Sequence, residues 1–293
     1  MNIVNPNLIT ERRNQNTLKE SISFSGLGIH TGQEVKMKFC PAPMGTGIVF
    51  RRVDLPGQPL VPAHVNSVTD TLRSTTIGSG DVRIHTVEHV LAAVNAFSID
   101  NLYIEVSNLE PPIGNGSSDT FVEMIEKVGV IEQSAFVSII KIEKPIQWSE
   151  GDIHIVALPY DGYRISYTLH YPESKVLGAQ FHSILVNREN FCREIAPCRT
   201  FSRYEEVSAM MDRGLIKGGS LANSVVIHGD VVFSKGGLFF PDEMVRHKIL
   251  DMVGDLSLIG IPFHAHILAI RAGHASNYQF AKKLHQYIME KQS

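Results

Sequence analysis

The chain has 293 residues, enough for one large domain or two of ordinary size. Apolar residues make up 43% and charged residues 19%, which is usual for a globular protein with a sizeable core. The net charge of −3 argues against a nucleic-acid-binding protein, because no basic excess is available to neutralise phosphates.

The cysteines and the apolar stretches set further limits. An odd number of cysteines at irregular spacing, Cys40, Cys192 and Cys198, indicates a reducing compartment rather than a disulfide framework. Residues 1–17 are polar and lack the apolar run of a signal peptide, so we expect a disordered extension there. The longest apolar stretch, 256–270, is too short and too often interrupted by polar residues for stable membrane insertion.

Apolar periodicity predicts much of the secondary structure. Alternating apolar and polar residues, or short apolar runs, predict strands at 33–39, 47–53, 101–106, 137–142, 153–158, 163–170, 225–228, 231–234 and 264–271. The 3.6-residue period predicts helices at 86–97, 120–129 and roughly 242–257. In the second helix, Thr120 and Glu123 fit a capping box and Gly129 fits the end.

The order of these elements indicates the fold class. Strands outnumber helices and do not alternate strictly with them, which favours an α+β fold over a doubly wound sheet. A boundary near 130–137 would divide the chain into two halves.

The third helix carries the first candidate site. Its polar side holds His247, Lys248, Asp251 and Asp255, opposite an apolar stripe. His247 and Asp251 are four residues apart and can reach one point, and an imidazole with a carboxylate suits Zn²⁺. Spacing alone leaves open an ordinary His–Asp pair on a surface helix.

The first helix adds Glu88 and His89, which lie off its apolar stripe. A hydrolytic zinc site needs three protein ligands, an open position and a nearby base, and these two residues fit the roles of base and third ligand. The alternative is a solvated first turn, where the helix dipole favours Glu in any case.

A third candidate segment follows the strand predicted at 264–271. Gly273 predicts a tight turn that presents His274 on a loop. A histidine at the end of a strand is a candidate acid or base.

Together these segments resemble the signature blocks of the UDP-3-O-acyl-N-acetylglucosamine deacetylase family. The similar segments, in the family's order, are GLGIHTG at 26–32, HTVEH at 85–89, IDNLYIEV at 99–106, CRTF at 198–201, the GGS-containing loop at 218–220, RHKILDMVGDL at 246–256 and AGHASN at 272–277. The similarity extends from about residue 18 to residue 285.

The resemblance implies a role for each candidate residue. It implies one catalytic zinc ion held by His89, His247 and Asp251. The implied catalytic residues are the general base Glu88, the cationic acid His274, Asp255 that orients it, and Thr200 that donates to the developing oxyanion. The implied substrate-binding residues are Lys248, Phe201, Arg271 and Gly273.

The resemblance also implies the architecture and the biological setting. We expect two domains of similar α+β topology, 18–133 and 134–293, each with a helical layer on a β-sheet and with the active site at their interface. An insertion at about 198–225 would line a passage for an acyl chain. The implied substrate is a UDP-linked acylated amino sugar, and we expect a cytoplasmic monomer of a Gram-negative bacterium that acts in lipid A synthesis.

The chain departs from the family pattern at a few positions. Asn115 stands where the family usually has Asp, and Arg271 stands where a Lys often contacts the nucleotide. Arginine keeps the charge but changes the geometry of the contact. The segment 71–74 lacks a cysteine that some members carry near the metal.

Two rival functions remain at this stage. The first is a zinc amidase that acts on another acylated sugar, against which the acyl passage and the cations Lys248 and Arg271 would count. The second is a non-catalytic protein with a structural zinc. Structural sites normally have four protein ligands, whereas three are evident here beside the additional carboxylate of Glu88.

Overall fold

A computed structural model describes residues 9–292, and their fold is α+β, as predicted. These residues contain six α-helices, and Phe191–Ile195 continue the third as a π-helical turn. The helices are α1 (Glu88–Ala96), α2 (Asp119–Val128), α3 (Arg188–Asn190), α4 (Tyr204–Asp212), α5 (Glu243–Ser257) and α6 (His274–Gln292). Within this range no helix is both long enough and apolar enough to cross a lipid bilayer.

Two sheets come from the first half of the chain. The larger has the order β2-β3-β9-β4-β5, and a small antiparallel sheet has the order β6-β7-β8. These strands are β2 (Ile22–Leu27), β3 (Glu34–Pro41), β4 (Ile48–Arg52), β5 (Leu60–Pro62), β6 (Val68–Asp70), β7 (Thr76–Ser79), β8 (Val82–Ile84) and β9 (Leu102–Val106).

The largest sheet is built around β18, whose alternate side chains are buried. Strand β18 pairs in parallel with β10 and β13 and antiparallel with β12, while β1, β11 and β14 extend the sheet. Its strands are β1 (Ile9–Leu18), β10 (Val130–Lys141), β11 (Ile146–Glu150), β12 (Ile153–Leu158), β13 (Tyr163–Tyr171), β14 (Gly178–Leu185) and β18 (Phe263–Ile270). The last sheet contains β15 (Phe201–Arg203), β16 (Val225–His228) and β17 (Val231–Phe233).

The amino-terminal segment corrects one sequence prediction. Residues 9–17, expected to be disordered, belong to β1, which pairs antiparallel with β10, while residues 1–8 lie outside the described range. The strand has no apolar alternation because backbone pairing and polar contacts hold it: Arg13 forms an ion pair with Asp100, and the Thr17 hydroxyl donates to the Asn101 carbonyl. The expected boundary at 133/134 falls inside β10.

The three helices with clear periodicity are confirmed within about two residues at each end. One predicted detail is wrong, because α2 begins at Asp119 after Ser118 and the capping box of Thr120 and Glu123 does not form. The Ser118 hydroxyl instead donates to the carbonyl of His89 at 2.8 Å, so it joins α2 to α1. Gly129 does end the helix, with φ of 79°.

Helices α1 and α5 pack closely against each other in the core. Gly254 of α5 lies against the first turn of α1, where a Cβ atom at position 254 would overlap the carbonyl oxygen of Glu88. The apolar stripe of α1 is fully buried around this contact, at Val87, Val90 and Val94. The absence of a side chain at Gly254 therefore sets the distance between the two helices that carry the candidate site.

We expect Gly254→Ala to destabilise the protein. Alanine is the better helix former by about 1 kcal/mol. Forced overpacking of a core typically costs about 1–3 kcal/mol, and here the obstacle is backbone rather than a flexible side chain. Urea unfolding should therefore show a lower free energy of unfolding than for the wild type.

Gly273→Ala is the matched control. Gly273 does not have a positive φ, and a Cβ there would meet no atom within 4 Å, so this variant should unfold close to the wild-type midpoint. Equal stability of Gly254→Ala and the wild type would show that α1 and α5 can separate without cost.

Candidate functional site

The starts of two helices and one face of a third supply most of the predicted site. Glu88 and His89 open α1, His274 opens α6, and α5 presents His247, Asp251 and Asp255 on successive turns. Glu88, His89, His247, Asp251 and Asp255 are each 5% exposed or less. The sequence alternatives of a solvated first turn and a surface His–Asp pair are therefore wrong.

His89, His247 and Asp251 form a compact, buried group. One possible ligand atom from each lies within 4.8 Å of the others. Asp251 Oδ1 is 3.3 Å from His247 Nε2 and 3.7 Å from His89 Nε2, and the two imidazole rings are nearly perpendicular. Two helices thus bring together, around one point, three side chains that could hold a metal ion.

The protonation state of His247 suits a ligand. Its Nδ1 lies 3.0 Å from the Cys198 carbonyl, which can only accept, so Nδ1 carries the proton and Nε2 keeps a lone pair. Burial, the largest influence, lowers the pKa of His247 to about 3. The ring is therefore neutral at physiological pH, as metal binding requires.

The unpaired atoms of this group fit a divalent metal. Asp251 Oδ1 is buried and makes no hydrogen bond to any described residue, and the same holds for His89 Nδ1. Buried polar atoms are normally paired, so a buried carboxylate oxygen that faces two imidazoles without a hydrogen bond is suited to ligate a cation. Two nitrogens and one carboxylate oxygen form a usual donor set for zinc with a fourth position open.

Glu88, Asp255 and His274 form a second buried group beside the first. His274 Nδ1 donates to Asp255 Oδ2 at 3.0 Å, and its Nε2 lies 3.9 Å from Asp251 Oδ2. Asp255 Oδ2 also accepts from Asn277 Nδ2 at 2.9 Å. The imidazole of His274 therefore has its Nδ1 proton on a carboxylate and its Nε2 directed toward the metal-binding group.

Burial and neighbouring charges raise the pKa values of Glu88 and His274 above their usual values. Burial is the largest influence on Glu88 and raises its pKa. Burial acts to lower the pKa of His274, but the nearby carboxylates of Asp255 and Asp251 outweigh it and raise the pKa to about 9. The site thus combines a cationic imidazole with a carboxylate that binds a proton more readily than usual.

The local structure around His274 differs from the prediction. The histidine is the first residue of α6, not part of a loop. The left-handed residue of the preceding turn is Arg271, with φ of 56°, rather than Gly273. The periodicity of α6 was missed because its mean hydropathy is low and its first turn is mostly small or polar residues.

A buried ion pair positions Thr200 and Phe201. Arg199, 2% exposed, donates to Glu243 at the start of α5, and the same carboxylate accepts the backbone N–H groups of Arg199 and Phe239. The Arg199–Glu243 ion pair therefore holds the segment before β15 against the start of α5. The ring centroid of Phe201 consequently lies 6.4 Å from that of His247.

Lys248 contacts both Asp251 and the ring of Phe201 at the cavity. Its Nζ donates to Asp251 Oδ2 at 2.7 Å and lies 5.6 Å from the centre of the Phe201 ring. The two oxygens of Asp251 therefore have separate surroundings, with Oδ2 on the lysine and Oδ1 facing the two histidines.

One cavity of about 720 Å³ collects the predicted residues. Ten of the eleven line it, and the exception, Asp255, lies behind His274. One side of the cavity is apolar and comes from the segment around α4, with Val207, Met210, Met211, Leu215, Ile216 and Leu221. A separate cavity of about 1000 Å³, lined by Leu91 and Leu256 among others, contains none of the eleven.

Sequence reasoning missed the residues that support the site. These are Thr75, which contacts Glu88 and Asp255, Asn277, which contacts Asp255, and Gly254 and the Arg199–Glu243 pair described above. No local pattern marks Thr75, whereas Gly254 inside an amphipathic helix is a recognisable sign of close packing.

Comparison with known proteins agrees with this geometry. The family model described as UDP-3-O-acyl N-acetylglycosamine deacetylase matches residues 15–286. Similar proteins named UDP-3-O-acyl-N-acetylglucosamine deacetylase occur in Chlamydia pneumoniae, with 49% identity over 93% of this chain and 97% of the relative, and in Chlamydia felis, with 48% identity over 93% and 97%. A relative of that name from Chlamydia muridarum is 45% identical over 96% of this chain and 98% of its own length. The chain belongs to the UDP-3-O-acyl-N-acetylglucosamine deacetylase family.

Proposed function

We propose that the protein hydrolyses the N-acetyl amide of UDP-3-O-(3-hydroxyacyl)-N-acetylglucosamine, releasing acetate and the free amine in lipid A biosynthesis. One observation carries the proposal: a buried His89–His247–Asp251 group lies beside the Glu88 carboxylate and the cationic His274 at a cavity with one apolar side. Family membership supplies the substrate.

The proposed cofactor is a single zinc ion held by His89, His247 and Asp251. Bound zinc would supply Lewis acidity to the acetyl carbonyl and to the attacking water. The donor set, the neutral His247 and the unpaired oxygen of Asp251 support this assignment.

The side chains supply the proton transfers that amide hydrolysis needs. Glu88 accepts a proton from the attacking water as its oxygen bonds to the acetyl carbon. His274 donates a proton to the sugar nitrogen as the carbon–nitrogen bond breaks, because an amide nitrogen leaves as a neutral amine. Asp255 keeps the His274 ring oriented, and the Thr200 hydroxyl donates to the oxygen that becomes negative.

The remaining candidates bind parts of the substrate away from the reacting amide. Lys248 and Arg271 are cations suited to the sugar hydroxyls and the diphosphate, and the backbone at Gly273 allows a close approach. Phe201 and the apolar side of the cavity suit the acyl chain. A plain sugar deacetylase would need neither feature, which favours an acylated nucleotide sugar.

A structural zinc site is the weaker alternative. Such a site would need a fourth protein ligand, and the candidate ligands of the adjacent group, Glu88 and His274, are already hydrogen-bonded to Thr75 and Asp255, respectively. We further propose a cytoplasmic monomer whose two domains divide near residues 130–137, where β10 begins after the end of α2. The free cysteines support a reducing compartment.

Substitution of His247 tests the proposed metal ligands. His247→Ala should lose stoichiometric zinc because only two ligands would remain, and activity should fall with zinc content. Purified protein is stripped with a chelator, and zinc binding is measured by calorimetry and elemental analysis. His170→Ala, an exposed histidine, is the control. Tight one-to-one zinc binding by folded His247→Ala would refute the ligand assignment.

The second prediction tests the base. Glu88→Gln keeps an acceptor for Thr75 and should bind zinc normally, yet turnover should fall by roughly 10²–10⁴, the usual range for a lost general base. Deacetylation is followed by acetate release at full zinc loading, with the exposed Glu150→Gln as control. Wild-type turnover in Glu88→Gln would exclude Glu88 as the base.

The third prediction concerns the acyl chain. Burying one methylene contributes about 0.8 kcal/mol, so four or more in the apolar side of the cavity raise kcat/KM by at least about 10². We therefore expect UDP-N-acetylglucosamine, which lacks the chain, to be hydrolysed at least about 100-fold less efficiently than the acylated substrate. Equal kcat/KM values would favour the rival deacetylase with a different sugar substrate.

A further inference from the structure

Thr75 contacts both carboxylates of the Glu88–Asp255–His274 group through different atoms. Its backbone N–H donates to Glu88 Oε2 at 3.0 Å, and its hydroxyl donates to Asp255 Oδ1 at 2.5 Å. Its carbonyl accepts from the backbone N–H of Val87 at 3.2 Å, which fixes the residue against the start of α1. Thr75 is 1% exposed, and every polar group it has is used.

The Thr75 hydroxyl completes the surroundings of Asp255. One oxygen of this carboxylate accepts from His274 and Asn277, and the other accepts from Thr75. A carboxylate held by three donors on both oxygens cannot rotate freely, so the direction of its bond to His274 is fixed. Short bonds from a hydroxyl to a carboxylate are among the stronger hydrogen bonds in proteins.

We propose that Thr75 is a positioning residue for the deacetylation reaction, holding Glu88 by its N–H and Asp255 by its hydroxyl so that proton acceptor and proton donor keep one relative geometry. The proposal rests on the function proposed above. Thr75 does not line the cavity and would touch no substrate, so it acts only through Glu88, Asp255 and His274.

The next residue offers a matched control. Thr76 is also buried, at 3% exposure, but its hydroxyl lies 2.9 Å from His85 Nδ1 and contacts neither carboxylate. Replacing either threonine by valine removes one hydroxyl from the core and keeps the branched shape. The Thr75 hydroxyl also lies 3.4 Å from His274 Nδ1, so a difference between the two variants reports on its contacts with Asp255 and His274 rather than on core packing.

The kinetic test compares Thr75→Val, Thr75→Ser and Thr76→Val at full zinc loading. Loss of a hydrogen bond that orients a functional side chain typically lowers activity about 10- to 100-fold. We expect kcat of Thr75→Val to fall in that range with KM within about twofold, because the lost interaction matters in the transition state and not in substrate binding. Thr75→Ser should restore kcat, and Thr76→Val should match the wild type.

A double variant tests the route of the effect. In a His274→Ala background the hydroxyl has no imidazole to orient through Asp255, so adding Thr75→Val should change the residual rate by less than about threefold. A further 10-fold loss there would contradict action through His274. If Thr75→Val does not fold, Thr75→Ala, which removes the hydroxyl without adding bulk, should show the same loss of kcat.

A second readout does not depend on activity. In ¹⁵N-histidine-labelled, zinc-free protein at constant pH, the His274 Nδ1–H proton should give a slowly exchanging downfield resonance in the wild type and in Thr75→Ser. It should be lost in Thr75→Val and in Asp255→Asn. Absence of deacetylase activity in the wild type would refute the proposed function, while this resonance would still test the positioning role.

The results that overturn the proposal are specific. They are an unchanged kcat in Thr75→Val or Thr75→Ala, an equal loss in Thr76→Val, failure of Thr75→Ser to restore kcat, or an unchanged His274 resonance in Thr75→Val.

Discussion

The contact between α1 and α5 is the constraint on which the site depends. The two helices come from opposite halves of the chain, and Gly254 allows the backbone of α5 to lie against the Glu88 carbonyl. A side chain at position 254 would push the helices apart and move the candidate residues of α1 away from those of α5. The candidate ligands come from both helices, so they converge only because the helices approach closely. Packing of the core therefore sets the positions of the candidate site residues.

This contact buries several charges that must be compensated. Three carboxylates, Glu88, Asp251 and Asp255, lie near two cationic side chains, Lys248 and His274. An uncompensated buried charge is costly by several kcal/mol. The excess of carboxylates, together with the unpaired oxygen of Asp251, favours a bound cation, so metal binding would complete the electrostatics of the core as well as the active site.

The sequence predicted the parts of the structure that depend on local pattern. Helices α1, α2 and α5 and the central strand β18 follow from periodicity, and the i, i+4 spacing of His247 and Asp251 predicted their convergence. Strand β1 could not be predicted this way, because it depends on pairing with β10 more than a hundred residues away. The role of Thr75 depends on the same kind of distant contact, with Asp255. Spacing alone left the third ligand open: His89 fitted the role but so did an ordinary solvated first turn, and the family resemblance implied His89. The structure brings its imidazole close to His247 and Asp251.

The pitch of α5 explains how one helix serves two chemical tasks. Residues 247, 251 and 255 follow at intervals of four, which corresponds to about 6 Å along the axis for each step. His247 and Asp251, one turn apart, both belong to the His89–His247–Asp251 group. Asp255, one turn farther along, lies outside that group and accepts the hydrogen bond from His274. His274 lies between them, 3.0 Å from Asp255 and 3.9 Å from Asp251. Because a helix is rigid over two turns, the distance between the His247–Asp251 pair and Asp255, the carboxylate that accepts from His274, is set by the backbone geometry of α5. Under the proposed function, the flexible acyl chain of the substrate contacts the segment around α4, which lies outside these two turns of α5.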